Sequence, residues 1–107
     1  MTMQSKKRWQ VDFSGHANKQ KGKLPEAMQE VLDLLRWELE TDGPVRNNWP
    51  NYGKIKGKGK NIDMHHCHLN KGRPCYVAVW VVTDKEVQIL EVRHVGTHEK
   101  TDYRRIH

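Results

Sequence analysis

The sequence predicts an α+β domain: two helices in the first half, packed on one face of a twisted antiparallel sheet of about four strands, in the order β-α-α-β-β-β. Three observations carry this. Apolar residues recur at helical spacing over 25–40, an almost continuous apolar run, CYVAVWVV, fills 75–82, and turn-forming residues bound that run on both sides. A chain of 107 residues has room for one core, so 1–107 reads as a single domain, with 1–6 expected to be flexible.

The elements follow in order. In KRWQVDF (7–13), Trp9, Val11 and Phe13 alternate with polar neighbours, which suits a short strand. Ser14 is placed to cap a short polar helix starting at Gly15–Ala17, punctuated by Gly22 and Pro25. Leu24, Met28, Val31, Leu32, Leu35 and Leu39 then trace the buried stripe of a helix over 25–40, with Ala27 and Leu34 widening it. Pro25 and Glu26 fit its first turn, and Thr41-Asp42-Gly43-Pro44 stops it. The loop 45–61 is glycine- and lysine-rich, with room for a short strand near Ile55. Strands are expected at 62–69, 75–82 and 87–95, joined by Asn70-Lys71-Gly72-Arg73-Pro74 and Thr83-Asp84-Lys85-Glu86.

Lys and Arg outnumber Asp and Glu 19 to 13, a formal net charge of +6. Such a balance favours a polyanionic partner. No apolar run is long enough to span a membrane, and MTMQSKKRWQ shows no secretory pattern. Cys67 and Cys75 are two thiols without a disulfide framework, consistent with a reducing, cytoplasmic setting.

The chemistry concentrates in DMHHCHLNKGR (63–73). In a strand, His65, Cys67 and Leu69 share one face and Met64, His66 and His68 the other. Cys and Leu prefer burial, so His66 and His68 belong on the open face, and His65 reads as a hydrogen-bonded structural histidine. Imidazoles exchange protons near neutral pH. Lys54, Lys56, Lys58 and Lys60 before them, and Lys71 and Arg73 after, suit a phosphodiester substrate, with histidines moving protons and cations holding phosphate. Gly96 allows a tight exit from the last strand toward His98, and Tyr103 follows within reach of the same region. Zinc held by His66, His68 and His98 is the competing reading, but no CxxC or HExxH spacing accompanies it.

The Leu-rich stripe at 24–39, the NYGKIKGK loop, the CHL strand end, the YVAVW strand and the closing VGTH, followed by EK and a tyrosine, together resemble the RelE/ParE superfamily of toxin–antitoxin toxins over 9–103. The resemblance implies a RelE-like fold and a small ribonuclease that cuts mRNA in the ribosomal A site without a metal or other cofactor. It also implies a free monomer neutralised by an acidic antitoxin. The histidine-using YafQ-type branch is the nearer match: Cys67-His68-Leu69 gives His68 an acid–base role, and Gly96-Thr97-His98 gives His98 the second. Tyr103 resembles a RelE-branch tyrosine at slightly shorter spacing. His66 is a further acid–base candidate, and Lys54, Lys56, Lys58, Lys71 and Arg73 are the expected RNA contacts.

The sequence departs from that branch twice. No histidine stands in Asn51-Tyr52-Gly53-Lys54, and Gly72 replaces an aspartate. His66, Lys71 and Arg73 are the available substitutes. ParE-type relatives share the fold and poison DNA gyrase without nuclease chemistry, so a binding module is the rival to an enzyme.

Overall fold

The computed structural model describes residues 8–55 and 62–97. The N-terminal residues 1–6 and the site candidates Lys56, Lys58, His98 and Tyr103 lie outside the described residues.

The chain runs β1 (Gln10–Phe13), α1 (Gly15–Lys23), α2 (Glu26–Asp42), β2 (Gly53–Ile55), β3 (Asp63–His68), β4 (Tyr76–Asp84) and β5 (Ile89–Thr97). Ser14 caps α1 as expected, its Oγ accepting the Ala17 N–H at 3.1 Å. Leu32, Leu35 and Leu39 form the buried stripe of α2. That stripe is narrower than the sequence predicts, because Ala27 is exposed and Leu34 faces solvent at 51% exposure, beside Trp37 at 56%. Helix α2 ends at Gly43, whose φ of 92° lies in the left-handed region. A side chain there would cost about 1–2 kcal/mol in backbone strain, and its Cβ would stand 3.0 Å from Trp9 Nε1.

The helices cover one face of a five-stranded sheet in the order β1-β5-β4-β3-β2. The α+β class and the helix packing stand as the sequence predicts; the four-strand antiparallel sheet changes at both edges. β2 adds a three-residue edge strand antiparallel to β3. β1 joins the other edge parallel to β5, with Val11 opposite Leu90, so the sheet is mixed. Parallel partners need a long crossover, and here the rest of the domain supplies it.

Val11, Cys67, Leu69, Ala78, Trp80, Leu90, Val92 and Val95 meet Ala17, Leu24 and the α2 leucines in the main core. Trp80 is wholly buried and its Nε1–H donates to Pro44 O at 3.1 Å, satisfying the indole inside the core. A register shift on β5 sets Val92 opposite Trp80 and His94 opposite Val79. The extra residue, Arg93, lets both Val92 and Val95 reach the core. On the face away from the helices, Met64, Val79, Val81 and Ile55 make a smaller apolar cluster.

Candidate active site

Strand β3 sorts its histidines by alternation. Cys67 and Leu69 enter the main core, while Met64 joins the apolar cluster of the opposite face. Antiparallel pairing sets Met64, His66 and His68 opposite Val81, Val79 and Val77 of β4. His66 and His68 therefore stand on the open face, as the sequence predicts.

His65 lies on the core side and is fully buried. Its ring stacks on Trp80 at an interplanar angle of 4°, with Nδ1 2.7 Å from Tyr52 Oη and Nε2 2.9 Å from Asp63 Oδ1. Burial pushes its pKa below the usual imidazole range, against the opposing pull of Asp63. A neutral ring fits both neighbours: Nδ1 accepts the phenol proton, and Nε2 carries the ring proton beside the carboxylate. Burial, with the Asp63 charge second, also raises the Tyr52 pKa, so the phenol keeps its proton. This network ties β2 to β3 and is structural. Cys67 is inert beneath the sheet, its thiol pushed up to about 12 chiefly by burial.

His68 ends β3 at the mouth of a cleft of ≈ 710 Å³ lined by Pro50, Asn51, His68, Lys71, Gly72, Arg73 and Cys75. The backbone is fixed there: His68 N–H donates to Pro50 O at 2.8 Å, and Leu69 N–H to Tyr76 O at 2.7 Å. The ring has two further neighbours. Cys75 Sγ lies 3.2 Å from Nδ1, and Asn51 Nδ2 lies 3.2 Å from Nδ1 and 3.4 Å from Nε2. Asn51 reaches it from a left-handed backbone, φ 52°, a conformation that asparagine tolerates.

The segment carrying Asn51 is itself held from α2. Glu38, largely buried, accepts hydrogen bonds from Arg46 Nη1, Asn48 Nδ2 and Trp49 Nε1, each at 2.9 Å. Burial alone would raise the Glu38 pKa, but these bonds and the Arg46 charge hold it below the ordinary carboxylate value. Trp49 enters the core directly before Pro50 and Asn51.

The structure thus brings His68, Lys71 and Arg73 together in one cleft, with no carboxylate among its described lining residues. His66 is two residues back on the same face, about 7 Å along the strand. Its ring passes over Gly53, where a Cβ would stand 3.3 Å from His66 Nε2. Lys54 is not brought to His68. Gly53 pairs with His66, so Lys54 pairs with His65 and points to the other face, 3.3 Å from Asp63 Oδ1. Strand β5 delivers Gly96 and Thr97, the residues preceding His98, to the end of the sheet where His68 sits, with Gly96 and His68 on either side of Val77. Among the described residues, no group of three or more His, Cys, Asp or Glu could hold a metal ion.

Sequence reasoning missed Asn51 and Cys75. Cys75 had a signal: it follows the hairpin turn that begins after His68, so closing that turn returns it to the histidine. Asn51 had none, since its approach depends on the loop folding back onto β3.

An imidazole oriented by a thiol and an amide, at the mouth of a cleft rimmed by two cations, is equipped to bind an anion and transfer a proton beside it. It sits at the sheet end of a small α+β protein, and the fold is that of the RelE toxins. The chain is similar to the archaeal RelE–RelB complex from Pyrococcus horikoshii OT3, with TM-score 0.69 and 16% identity, covering 88% of this chain and 99% of that one. It is also similar to an arginine-to-alanine double mutant of E. coli toxin RelE in the free state, with TM-score 0.64 and 23% identity, covering 86% of this chain and 85% of that one. No protein-family model and no curated protein matches the sequence. Among the described residues, no helix is long and apolar enough to cross a membrane.

Proposed function

We propose that this protein is the toxin of a toxin–antitoxin pair, an endoribonuclease that cuts mRNA on the ribosome. The observation that carries the reading is the cleft in which His68 meets Lys71 and Arg73. In the reaction the 2′-oxygen of the RNA loses its proton and attacks the adjacent phosphorus. The bond to the 5′-oxygen breaks, that oxygen takes up a proton, and a cyclic phosphate remains. His68 transfers one of the two protons, with its ring oriented by Cys75 and Asn51, and His98 is assigned the other. Lys71 and Arg73 neutralise the charge that gathers on the phosphoryl oxygens. His66 and Tyr103 are assigned supporting roles in the proton transfers. Lys56 and Lys58 are assigned to contacts with the RNA backbone.

The relative from Pyrococcus is a RelE–RelB complex. By analogy, an acidic antitoxin is the partner that keeps this +6 chain silent in the cytoplasm, and the free toxin is a monomer. Inducible expression in bacteria tests the reading. Wild type is expected to stop amino-acid incorporation and growth, and His68→Ala, with its circular dichroism and melting temperature retained, to leave both running. Arrest by His68→Ala as complete as by wild type would instead favour a toxin that works by binding alone.

A further inference from the structure

A second cleft opens where α1 lies against the outer edge of β5. β1 covers that edge only to Val92, the partner of Phe13. Beyond it, Gln20 of α1 takes over, its Oε1 accepting the Val95 N–H at 3.0 Å. The cleft, ≈ 520 Å³, is lined by residues that include His16, Gln20, Lys23, Tyr76, His94 and Thr97, and none of its described lining residues is acidic.

The polar atoms here are set as donors. With its oxygen held by the strand, Gln20 turns Nε2 toward His94 Nδ1, 3.4 Å away. Nδ1 then accepts, and the ring proton sits on Nε2. A Cβ at position 96 would stand 3.2 Å from His94 Nε2 and 3.4 Å from Gln20 Nε2, so Gly96 lets the backbone of β5 lie close to both nitrogens. Burial, and then the neighbouring His16, hold the His94 pKa below the usual range, so His94 acts as a neutral N–H donor and the charge comes from Lys23. Helix α1, GHANKQKGK, contains no acidic residue. Lys21 is turned toward Asp33 and the Phe13 ring, which leaves Lys23 as the lysine among the described lining residues.

We propose that this cleft is a second phosphate seat, taking a backbone phosphate of the same RNA strand whose scissile phosphate lies at His68. The proposal rests on the ribonuclease reading above. Both clefts sit at the same end of the sheet: His68 pairs with Val77, and the adjacent Tyr76 pairs with Thr97. A strand crossing that end passes from one cleft to the other over the start of β4.

The test is the salt dependence of binding to a short 2′-O-methyl oligoribonucleotide, which lacks the attacking hydroxyl. Wild type is compared with His16→Ala/Lys23→Ser and with Lys85→Ser, which removes one charge at the exposed turn between β4 and β5. The cleft variant is expected to bind more weakly and to lose about 0.7 from the slope of log K against log salt, the loss for one phosphate contact on a single strand. The Lys85→Ser variant should keep the wild-type slope. Equal slopes for the two variants, with wild type still cutting mRNA, would overturn the second seat alone. Wild type that neither binds the oligonucleotide nor cuts mRNA would overturn the ribonuclease reading as well.

Discussion

Alanine in place of His68 is expected to slow RNA cleavage about 10²–10⁴-fold, the range for losing one positioned acid or base. The geometry explains why the loss falls on chemistry rather than on folding. His68 lies at the end of β3, only partly buried, and its backbone bond to Pro50 O does not depend on the side chain. Removing the ring takes away the proton-transfer group and leaves Lys71 and Arg73 at the rim of the cleft. RNA binding should therefore persist while turnover collapses. His68→Gln refines the comparison, because an amide can still meet Asn51 but cannot exchange a proton at neutral pH. Single-turnover cleavage with denaturant unfolding run in parallel reads both quantities. A variant that cleaves within a few-fold of wild type would remove His68 from the reaction.

Replacing Glu38 by alanine is expected to cost about 3 kcal/mol of stability, as breaking a largely buried charge pair does. The Glu38 side chain is 15% exposed and that of Arg46 12%. Loss of the carboxylate leaves the Arg46 guanidinium with Asp42 Oδ2 at 3.8 Å and takes the acceptor from the Trp49 indole. The pH dependence has a defined sign. The folded pKa of Glu38 is depressed below its ordinary 4.5, so its contribution is complete above pH 4.5. That contribution is lost as pH falls through the lower folded value. Urea midpoints of wild type and Glu38→Gln should therefore differ most near neutrality and converge in acid. A gap that stayed constant to the lowest pH would show that the carboxylate charge is not the source. Because Trp49 leads directly into Pro50 and Asn51, the same change should also loosen the orientation of His68 and slow cleavage.

Much of the site was legible in the sequence because β3 alternates cleanly. Cys67 and Leu69 have an unambiguous preference for the core, and that preference fixes the side on which His66 and His68 emerge. Ser14 and the stripe through Leu32, Leu35 and Leu39 were legible for the same reason: each rests on a local periodicity or cap. The features that escaped depend on distant partners. Nothing in residues 10–13 announces that they will lie parallel to 89–92. Lys54 was expected beside the histidines from its place in a lysine run, but the register of β2, fixed only when Gly53 meets His66, turns it away. His94 drew no attention, since its burial against α1 depends on Gln20 reaching across from 74 residues earlier.

The central claim is that the His68 cleft cuts mRNA on the ribosome, and primer extension on mRNA recovered from an in vitro translation reaction tests it most directly. Wild type should leave defined cuts at codons held in the ribosomal A site, and His68→Ala at equal concentration should leave the message intact. An uncut message with wild type, while translation still stops, would contradict the account and identify a toxin that acts by binding.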